Sequence, residues 1–416
     1  MTDSLSSSFA AAMERLAPFE PAPRLAVAVS GGADSTALAL LAKAWTAARG
    51  GTLLALAVDH GLRRESASEA NAILALLGAR GIPGRKLTVA GLTRGPALAA
   101  RARAARYGVL LTACVEEGVP HLLLGHHRSD QVETAAMRVL AGSGGRGLAA
   151  MPGVAETRFA RLLRPLSRVP PGDLRTFLTA QGVGWIEDPS NRDPAAQRAR
   201  IRMGLADSDG NADGTSAVAA AVRVAGEARA RRDGAIAACL AARASIRPEG
   251  YAVLSPGPID PEALAALLRT IGGAAYAPPI ERVAALARAL APATLGGVRI
   301  LAAGRLGPGW LLAREPRSMA PRVGGGLNNA SWDGRFRLVG HPGGAGAGQA
   351  MLGALGDAAA RFNDRRGPPA AVLRTLPAIW IGPDLTAVPH LGFGDPAWRL
   401  VFDPRHPAAG APFAVG

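Results

Sequence analysis

The sequence predicts an α/β protein: a Rossmann-like parallel sheet in the first half, then a helical linker and a smaller α/β C-terminal region. Three observations carry this expectation. Residues 25–29 (LAVAV) form an apolar run of the length and composition of a strand buried on both faces. A glycine-containing turn, Ser30-Gly31-Gly32-Ala33-Asp34-Ser35, follows at once and leads into the helical pattern of residues 36–43. Two further apolar runs, 52–58 (TLLALAV) and 121–124 (HLLL), also end in polar clusters, DHGLR and GHHRSDQVET. Open parallel sheets bind ligands at the carboxyl ends of their strands, so three polar strand ends point to one converging site.

Taken in order, residues 1–20 read as a short amphipathic helix with Phe9, Met13 and Leu16 on one face. The turn after the first strand has the composition of an anion cradle. Its two glycines let backbone N–H groups approach a phosphate, and the helix that follows aims its positive end there. Ser30 and Ser35 add hydroxyl donors. Asp34 is out of place beside phosphate unless it holds a metal ion that bridges to it. The structural alternative is a tight strand-to-helix turn with Asp34 or Ser35 as the helix N-cap.

Residues 65–77 read as a helix, 85–89 as a weaker third strand, and 97–117 as a long helix carrying Arg101, Arg103, Arg106 and Tyr107. Arg103 and Arg106, three apart, share a face. After the strand at 121–124, Asp130 and Glu133 have capping-box spacing, so a purely structural role is open to them. Residues 141–148 (AGSGGRGL) read as a flexible loop in which Arg146 can close over an anion. Residues 162–169 and 183–188 complete the domain, followed by the turn cluster DPSNRD at 188–193 and a basic helix start with Arg198 and Arg202. Residues 206–214 (ADSDGNADG) read as a linker and 215–245 as an arginine-rich helix. Beyond these, 261–271 and 279–290 read as helices, 294–303 and 309–315 as a hairpin, and 335–339 and 378–381 as short strands. The expected division is therefore 1–205, 206–245, 246–320 and 321–416.

Composition narrows the partners. The 416 residues carry 47 Lys and Arg against 32 Asp and Glu, a formal net charge of +15. Lys43 and Lys86 are the lysines; the rest is arginine. A GC-rich genome explains arginine in place of lysine but not the surplus over acids, which suits a polyanionic partner, nucleic acid foremost. Two distant cysteines, Cys114 and Cys239, form neither a disulfide framework nor a CxxC site. Together with a polar N-terminus and no long apolar run, they lead to the expectation of a soluble cytoplasmic protein without a membrane partner.

The turn SGGADS resembles the signature SGGxDS of the PP-loop ATP pyrophosphatases. With VDHGLR, the Arg103/Arg106/Tyr107 run, GHHRSDQVET, AGSGGRGL, Arg164-Pro165-Leu166 and EDPSNRD followed by Arg198 and Arg202, the chain resembles the tRNA(Ile)-lysidine synthases over residues 24–202. The C-terminal half is similar only through TLGGVRI, LLAREP and LPAIW…AVPHLG. The resemblance implies a ligase that uses ATP to adenylate the first anticodon cytidine of a tRNA(Ile) with a CAU anticodon. Free L-lysine then displaces AMP, and the enzyme acts as a monomer or homodimer. It implies that Ser30, Gly31, Gly32, Ala33, Asp34 and Ser35 hold the ATP, and that Asp34 and Asp130 share Mg²⁺. It further implies that Glu133 binds or deprotonates the lysine ammonium, that His126 supports the adenylated intermediate, and that Arg103, Arg106, Arg146, Arg198 and Arg202 meet the tRNA. Three rivals are weighed against it. A PP-loop tRNA thiolase needs a reactive cysteine near the site, and Cys114 falls mid-helix in an apolar setting. An amidotransferase-type synthetase has no use for the basic charge. A non-catalytic RNA-binding module has no use for Asp34, Asp130 and Glu133 together.

A nucleic-acid partner held chiefly through phosphates sets a first expectation. Affinity for tRNA should fall about a thousandfold between about 50 and 200 mM salt if about six phosphates are neutralised. A filter-binding titration whose log–log salt plot is flat would refute phosphate-dominated binding.

Overall fold

The structure is a computed structural model that describes residues 2–409 except 62–65, 94, 144, 188–196, 326, 328, 344–347 and 363–366. The chain divides into two compact units, 1–230 and 231–412.

The first unit contains α1 (Thr2–Arg15), β1 (Arg24–Val29), α2 (Ala33–Ala47), β2 (Thr52–Asp59), α3 (Ser66–Gly78), β3 (Gly84–Thr88), α4 (Leu98–Glu116), β4 (His121–Leu123) and α5 (Arg128–Leu140). It continues with α6 (Gly145–Leu148), β5 (Val154–Glu156), β6 (Arg161–Leu163), α7 (Pro171–Ala180), α8 (Gln197–Leu205) and α9 (Asp213–Arg243), a helix that contains the boundary between the units. Six strands form one sheet in the order β3-β2-β1-β4-β6-β5. The first five are parallel, with Arg24 opposite Thr52, Leu25 opposite His121 and His121 opposite Arg161. The chain winds outward from β1 through β2 to β3, then crosses to β4 on the other side of β1. That reversal opens a crevice at the carboxyl ends of β1 and β4.

The alternation of β1 shows why the run is apolar throughout. Leu25, Val27 and Val29 pack with Phe9, Met13, Trp45 and Phe177 on the face covered by α1, α2, α3 and α7. Ala26 and Ala28 face Tyr107, Leu110 and Cys114 of α4. Both faces are covered, as a parallel sheet requires.

Three differences from the sequence reading have simple causes. Strand β5 runs antiparallel to β6, an edge strand of three residues too short to show a period. Helix α7 starts at a Pro-Pro pair, with Pro171 at its first position, where a missing N–H costs nothing. Residues 145–148, read as loop, form the short α6.

The second unit is antiparallel throughout its sheets. Strands β7 (Ala244–Arg247), β8 (Tyr251–Leu254), β9 (Ala293–Leu295), β10 (Val298–Ala302) and β11 (Trp310–Arg314) form a sheet ordered β7-β8-β11-β10-β9. It packs with α10 (Pro261–Gly272) and α11 (Ile280–Arg288). The stretch read as one strand over 294–303 is instead a hairpin, because Gly296 and Gly297 both take positive φ, 60° and 73°. Two glycines in that conformation reverse the chain in a two-residue turn. Two three-stranded sheets complete the unit. One joins β12 (Ser331–Trp332), β13 (Phe336–Gly340) and β17 (Arg399–Phe402). The other joins β14 (Ala350–Ala354), β15 (Pro377–Ile381) and β16 (Asp384–Ala387), with α12 (Ala370–Leu373) preceding β15.

This unit is pinned by a buried ionic cluster. Asp333 accepts from Arg314 Nε at 3.0 Å, Arg335 Nε at 2.8 Å and the Ala320 N–H at 2.9 Å. Arg335 is fully buried and also donates to the carbonyls of Gly250 and Thr375. Burial alone would push the Asp333 carboxyl up, but the bond from Arg314 and the charges of Arg335 and Arg314 hold it below its ordinary value. A folded-state value below the unfolded one stabilises above about pH 4, the unfolded carboxylate range, and that contribution is lost as pH falls through the lowered value. Asp333→Asn strands two buried guanidinium groups and should cost about 3–5 kcal/mol. Scanning calorimetry of the full chain at neutral pH should show the loss, and the difference from wild type should shrink on acidification.

Candidate active site

At the end of β1 the chain turns through Gly31 at φ +85°, and a Cβ there would lie 2.9 Å from Ile186 Cδ1. The positive φ favours glycine there, and a side chain would also have to push the Ile186 terminal methyl aside. Gly32 is the N-cap of α2, and no side chain caps the helix. This corrects the alternative that Asp34 or Ser35 is the cap. Ser35 Oγ instead accepts from the Ser30 N–H at 3.1 Å and donates to the Gly32 carbonyl at 3.1 Å, with Ser30 Oγ 3.3 Å away. The two hydroxyls brace the turn, while Ala33 begins the helix and Asp34 sits at its second position. The α2 N-terminus, with uncapped N–H groups, is left to face an anion.

The end of β4 passes close by. A Cβ on Gly125 would lie 3.2 Å from the Cα of Ser35, so a side chain there would press the two strand ends apart by a few tenths of an ångström. The next residues, His126 and His127, enter α5. Asp130 is the third residue of that helix and accepts the His127 backbone N–H at 2.8 Å. The capping box is thus His127 with Asp130, which corrects the reading of Asp130 with Glu133 as the capping pair. His127 Nε2 stands 3.6 Å from an oxygen of Asp34 and 3.6 Å from one of Asp130, linking the two strand ends.

Glu133, one turn further, is fully buried. Its oxygens accept from Arg198 Nε at 2.6 Å, Arg202 Nε at 2.7 Å and Arg202 Nη2 at 3.2 Å. Arg198 Nη2 also reaches Asp130 at 2.7 Å. Helix α8 therefore docks on α5 through two arginines that the sequence reading placed against tRNA. As placed here they neutralise the acidic helix.

The electrostatics separate the two aspartates. Burial pushes the Asp34 carboxyl up, the charge of Asp130 adds to this, and His127, Arg175 and Arg202 only partly offset it. For Asp130, burial is outweighed by the charges of His127 and Arg198, and its carboxyl is held low. Asp130 is a committed anion; Asp34 lacks a cation of its own. His126 is driven down to about 3, by burial first and then by Arg164, Arg103 and Arg198 against Asp130. Its imidazole is neutral at physiological pH.

A third strand end contributes Asp59, which accepts from the Gly61 N–H at 2.9 Å and from the Ser66 hydroxyl and so fixes the turn at His60. Across from it, α4 carries Arg106, whose charge acts on His60, and Arg103, whose guanidinium lies over the Tyr107 ring at 5.2 Å. Arg146 sits on α6 with its side chain outside the described residues, and most of EDPSNRD, 188–193, lies outside them too.

Two residues at the site escaped the sequence reading. His127 was hidden because GHH offers two adjacent imidazoles and only the fold shows which one bridges. Arg164 is the second: a charged residue directly after the apolar pair Leu162-Leu163 is a signal for a strand end.

A parallel strand, a bare glycine turn and an aspartate at the start of the next helix, with a second aspartate brought in from β4, define a PP-loop nucleotide-binding domain. Residues 3–208 match the PP-loop domain family. The chain is 38% identical to the tRNA(Ile)-lysidine synthase of Mesorhizobium japonicum over 80% of its own length and 76% of the relative's. It is 37% identical to that of Ruegeria pomeroyi over 90% of both. Among solved structures it is similar to the U34-tRNA thiolase NcsA from Methanococcus maripaludis with its [4Fe-4S] cluster, with a TM-score of 0.45 and 17% identity over 53% of this chain and 78% of that one. The chain belongs to the tRNA(Ile)-lysidine synthase family, ATP-dependent tRNA-modifying ligases of the PP-loop class. Cys114 is a buried free thiol pushed by burial up to about 12, an inert group and not a sulfur carrier. Among the described residues no helix is long and apolar enough to cross a membrane.

The docking of α8 generates a prediction. Glu133→Gln removes the charge that holds Arg198 and Arg202, whose side chains are 33% and 40% exposed and partly screened. The cost should lie near the lower end of about 1.5–3 kcal/mol. Thermal unfolding should shift down and limited proteolysis at α8 should accelerate. A rise in lysine KM with unchanged stability would return Glu133 to direct contact with the lysine ammonium.

Proposed function

We propose that this chain converts the first anticodon cytidine of a tRNA(Ile) bearing CAU to lysidine, in the cytoplasm, from ATP and free lysine. The cytidine 2-oxygen attacks the α-phosphorus of ATP and pyrophosphate leaves. The lysine ε-amine, once it has lost its proton, attacks carbon 2 and AMP leaves with the oxygen. The observation that carries this reading is the bridge Asp34–His127–Asp130 laid across the mouth of a bare helix N-terminus.

The turn 30–35 binds the pyrophosphate portion through backbone N–H groups and the α2 N-terminus. Asp34 and Asp130 present hard carboxylate oxygens on either side of one imidazole, and Asp34 lacks an arginine of its own. That donor set fits Mg²⁺, which takes one or two carboxylates and completes its shell with phosphate and water. When bound there, Mg²⁺ would neutralise the charge that develops on pyrophosphate as it departs. His126, neutral and half-buried, offers a hydrogen bond to the adenylated cytidine without adding charge. Glu133 serves by holding Arg198 and Arg202 in place, and Arg103 and Arg106 meet the tRNA backbone.

The test is incubation with ATP, labelled lysine and total tRNA, followed by nucleoside analysis. Labelled lysidine that depends on all three is the expected result, and its absence with properly folded enzyme overturns the reading. Asp34→Asn is expected to lower turnover by orders of magnitude without lowering thermal stability, since Asp34 caps nothing in α2. Near-normal turnover of that variant would remove Asp34 from the metal role.

A further inference from the structure

Strand β6 runs beside β4, with Leu163 opposite Leu123, and the Leu124 N–H donates to the Leu163 carbonyl at 2.9 Å. Arg164 is therefore the first residue past the carboxyl end of β6, next to the loop that carries His126. It is 5% exposed. A buried guanidinium is expensive unless its donors are used. Arg164 Nη1 donates to the Pro152 carbonyl at 2.8 Å, and the side chain also bonds Tyr107. Its Nε is buried with no partner, as are Arg103 Nε and His126 Nδ1. None of Arg103, Arg106 and Arg164 is ion-paired with a carboxylate of the described residues. Burial and the neighbouring Arg103 charge both weigh against the Arg164 cation, and the bond to Tyr107 supports it.

The geometry also shows what the bond to Tyr107 does. Tyr107 is 5% exposed and lies between two guanidinium groups. Arg164 bonds it from β6, while Arg103, one turn earlier on α4, lies over its ring and reaches its hydroxyl at 3.5 Å. The strand end thus fixes the ring, and the ring fixes Arg103. The arrangement is cationic, and among the described residues no carboxylate pairs with these guanidinium groups, which suits an anion brought by a bound partner.

We infer that Arg164 is a positioning residue that acts through Tyr107 to aim Arg103 at a backbone phosphate of the bound tRNA beside the reacting nucleotide. The inference rests on the tRNA substrate of the preceding section and adds a residue to its binding site. A planar fork is needed to hold the Pro152 carbonyl and Tyr107 together, so lysine is a poor replacement.

Four variants test this: Arg164→Gln, Arg164→Lys, Arg103→Gln and the double Arg164→Gln/Arg103→Gln, each with tRNA affinity measured across a salt series. Arg103→Gln and Arg164→Gln should each weaken tRNA binding about tenfold and lower the log–log salt slope by about one, the signature of one lost phosphate contact. The ATP and lysine KM values should not move. The double variant should be no weaker than Arg103→Gln, because both remove the same contact. Arg164→Lys should recover only part of the loss. Tyr107→Phe, which keeps the buried ring, covers the case in which Arg164→Gln does not fold, and should weaken binding about threefold in the same direction. Additive losses in the double variant, or an unchanged salt slope with folded Arg164→Gln, would overturn the inference. If the wild-type enzyme forms no lysidine, the reaction assigned above fails, while the salt series still decides the role of Arg164.

Discussion

Three carboxylates, Asp34, Asp130 and Glu133, are gathered at the carboxyl ends of β1 and β4, and the site depends on how their charge is balanced. Buried carboxylates in one small volume cannot all remain ionised without nearby cations. Asp130 and Glu133 obtain theirs from Arg198 and Arg202, more than sixty residues later in the chain. His127 stands between Asp130 and Asp34. The balance is uneven: α8 brings hydrogen-bonded arginines to the two carboxylates on α5, whereas Asp34, at the mouth of the α2 N-terminus, shares His127 and feels Arg175 and Arg202 only at a distance. A divalent cation carried in by a nucleotide fits that deficit. The approach of the two strand ends leaves little room for side chains: a Cβ on Gly125 would lie 3.2 Å from the Cα of Ser35, while Gly31 takes a positive φ of 85° against Ile186.

Much of this was legible in the amino-acid order. Residues 25–29, 52–58 and 121–124 are strands because runs buried on both faces must be continuously apolar, and the polar residues that end each run mark the ligand edge. The long helices announced themselves by length. Legibility failed where the decisive constraint is not local. A three-residue edge strand such as β5 carries no period. The reversal at Gly296-Gly297 lies inside a run that reads equally well as one long strand. Arg198 and Arg202 look like any solvated basic face until α8 is laid on α5. His127 stands at the N-cap position of α5, where a Ser, Thr or Asp is usual, and only the fold shows its Nε2 3.6 Å from both Asp34 and Asp130.

The arginines show a further limit of composition. Many are structural: Arg161 binds the carbonyls of Leu16, Ala17 and Pro18, Arg243 binds those of Ser255, Pro256 and Gly257, and Arg314 and Arg335 enclose Asp333. Ion pairing does not erode the surplus of +15, however, because each pair removes one charge of either sign. Inside, Asp130 and Glu133 are matched by Arg198 and Arg202, and Asp333 is shared by Arg314 and Arg335. Arg103, Arg106 and Arg164 gather at one edge of the active site, and among the described residues none of them is paired with a carboxylate. A chain of this composition reaches a polyanionic substrate through the same charge accounting that folds its active site.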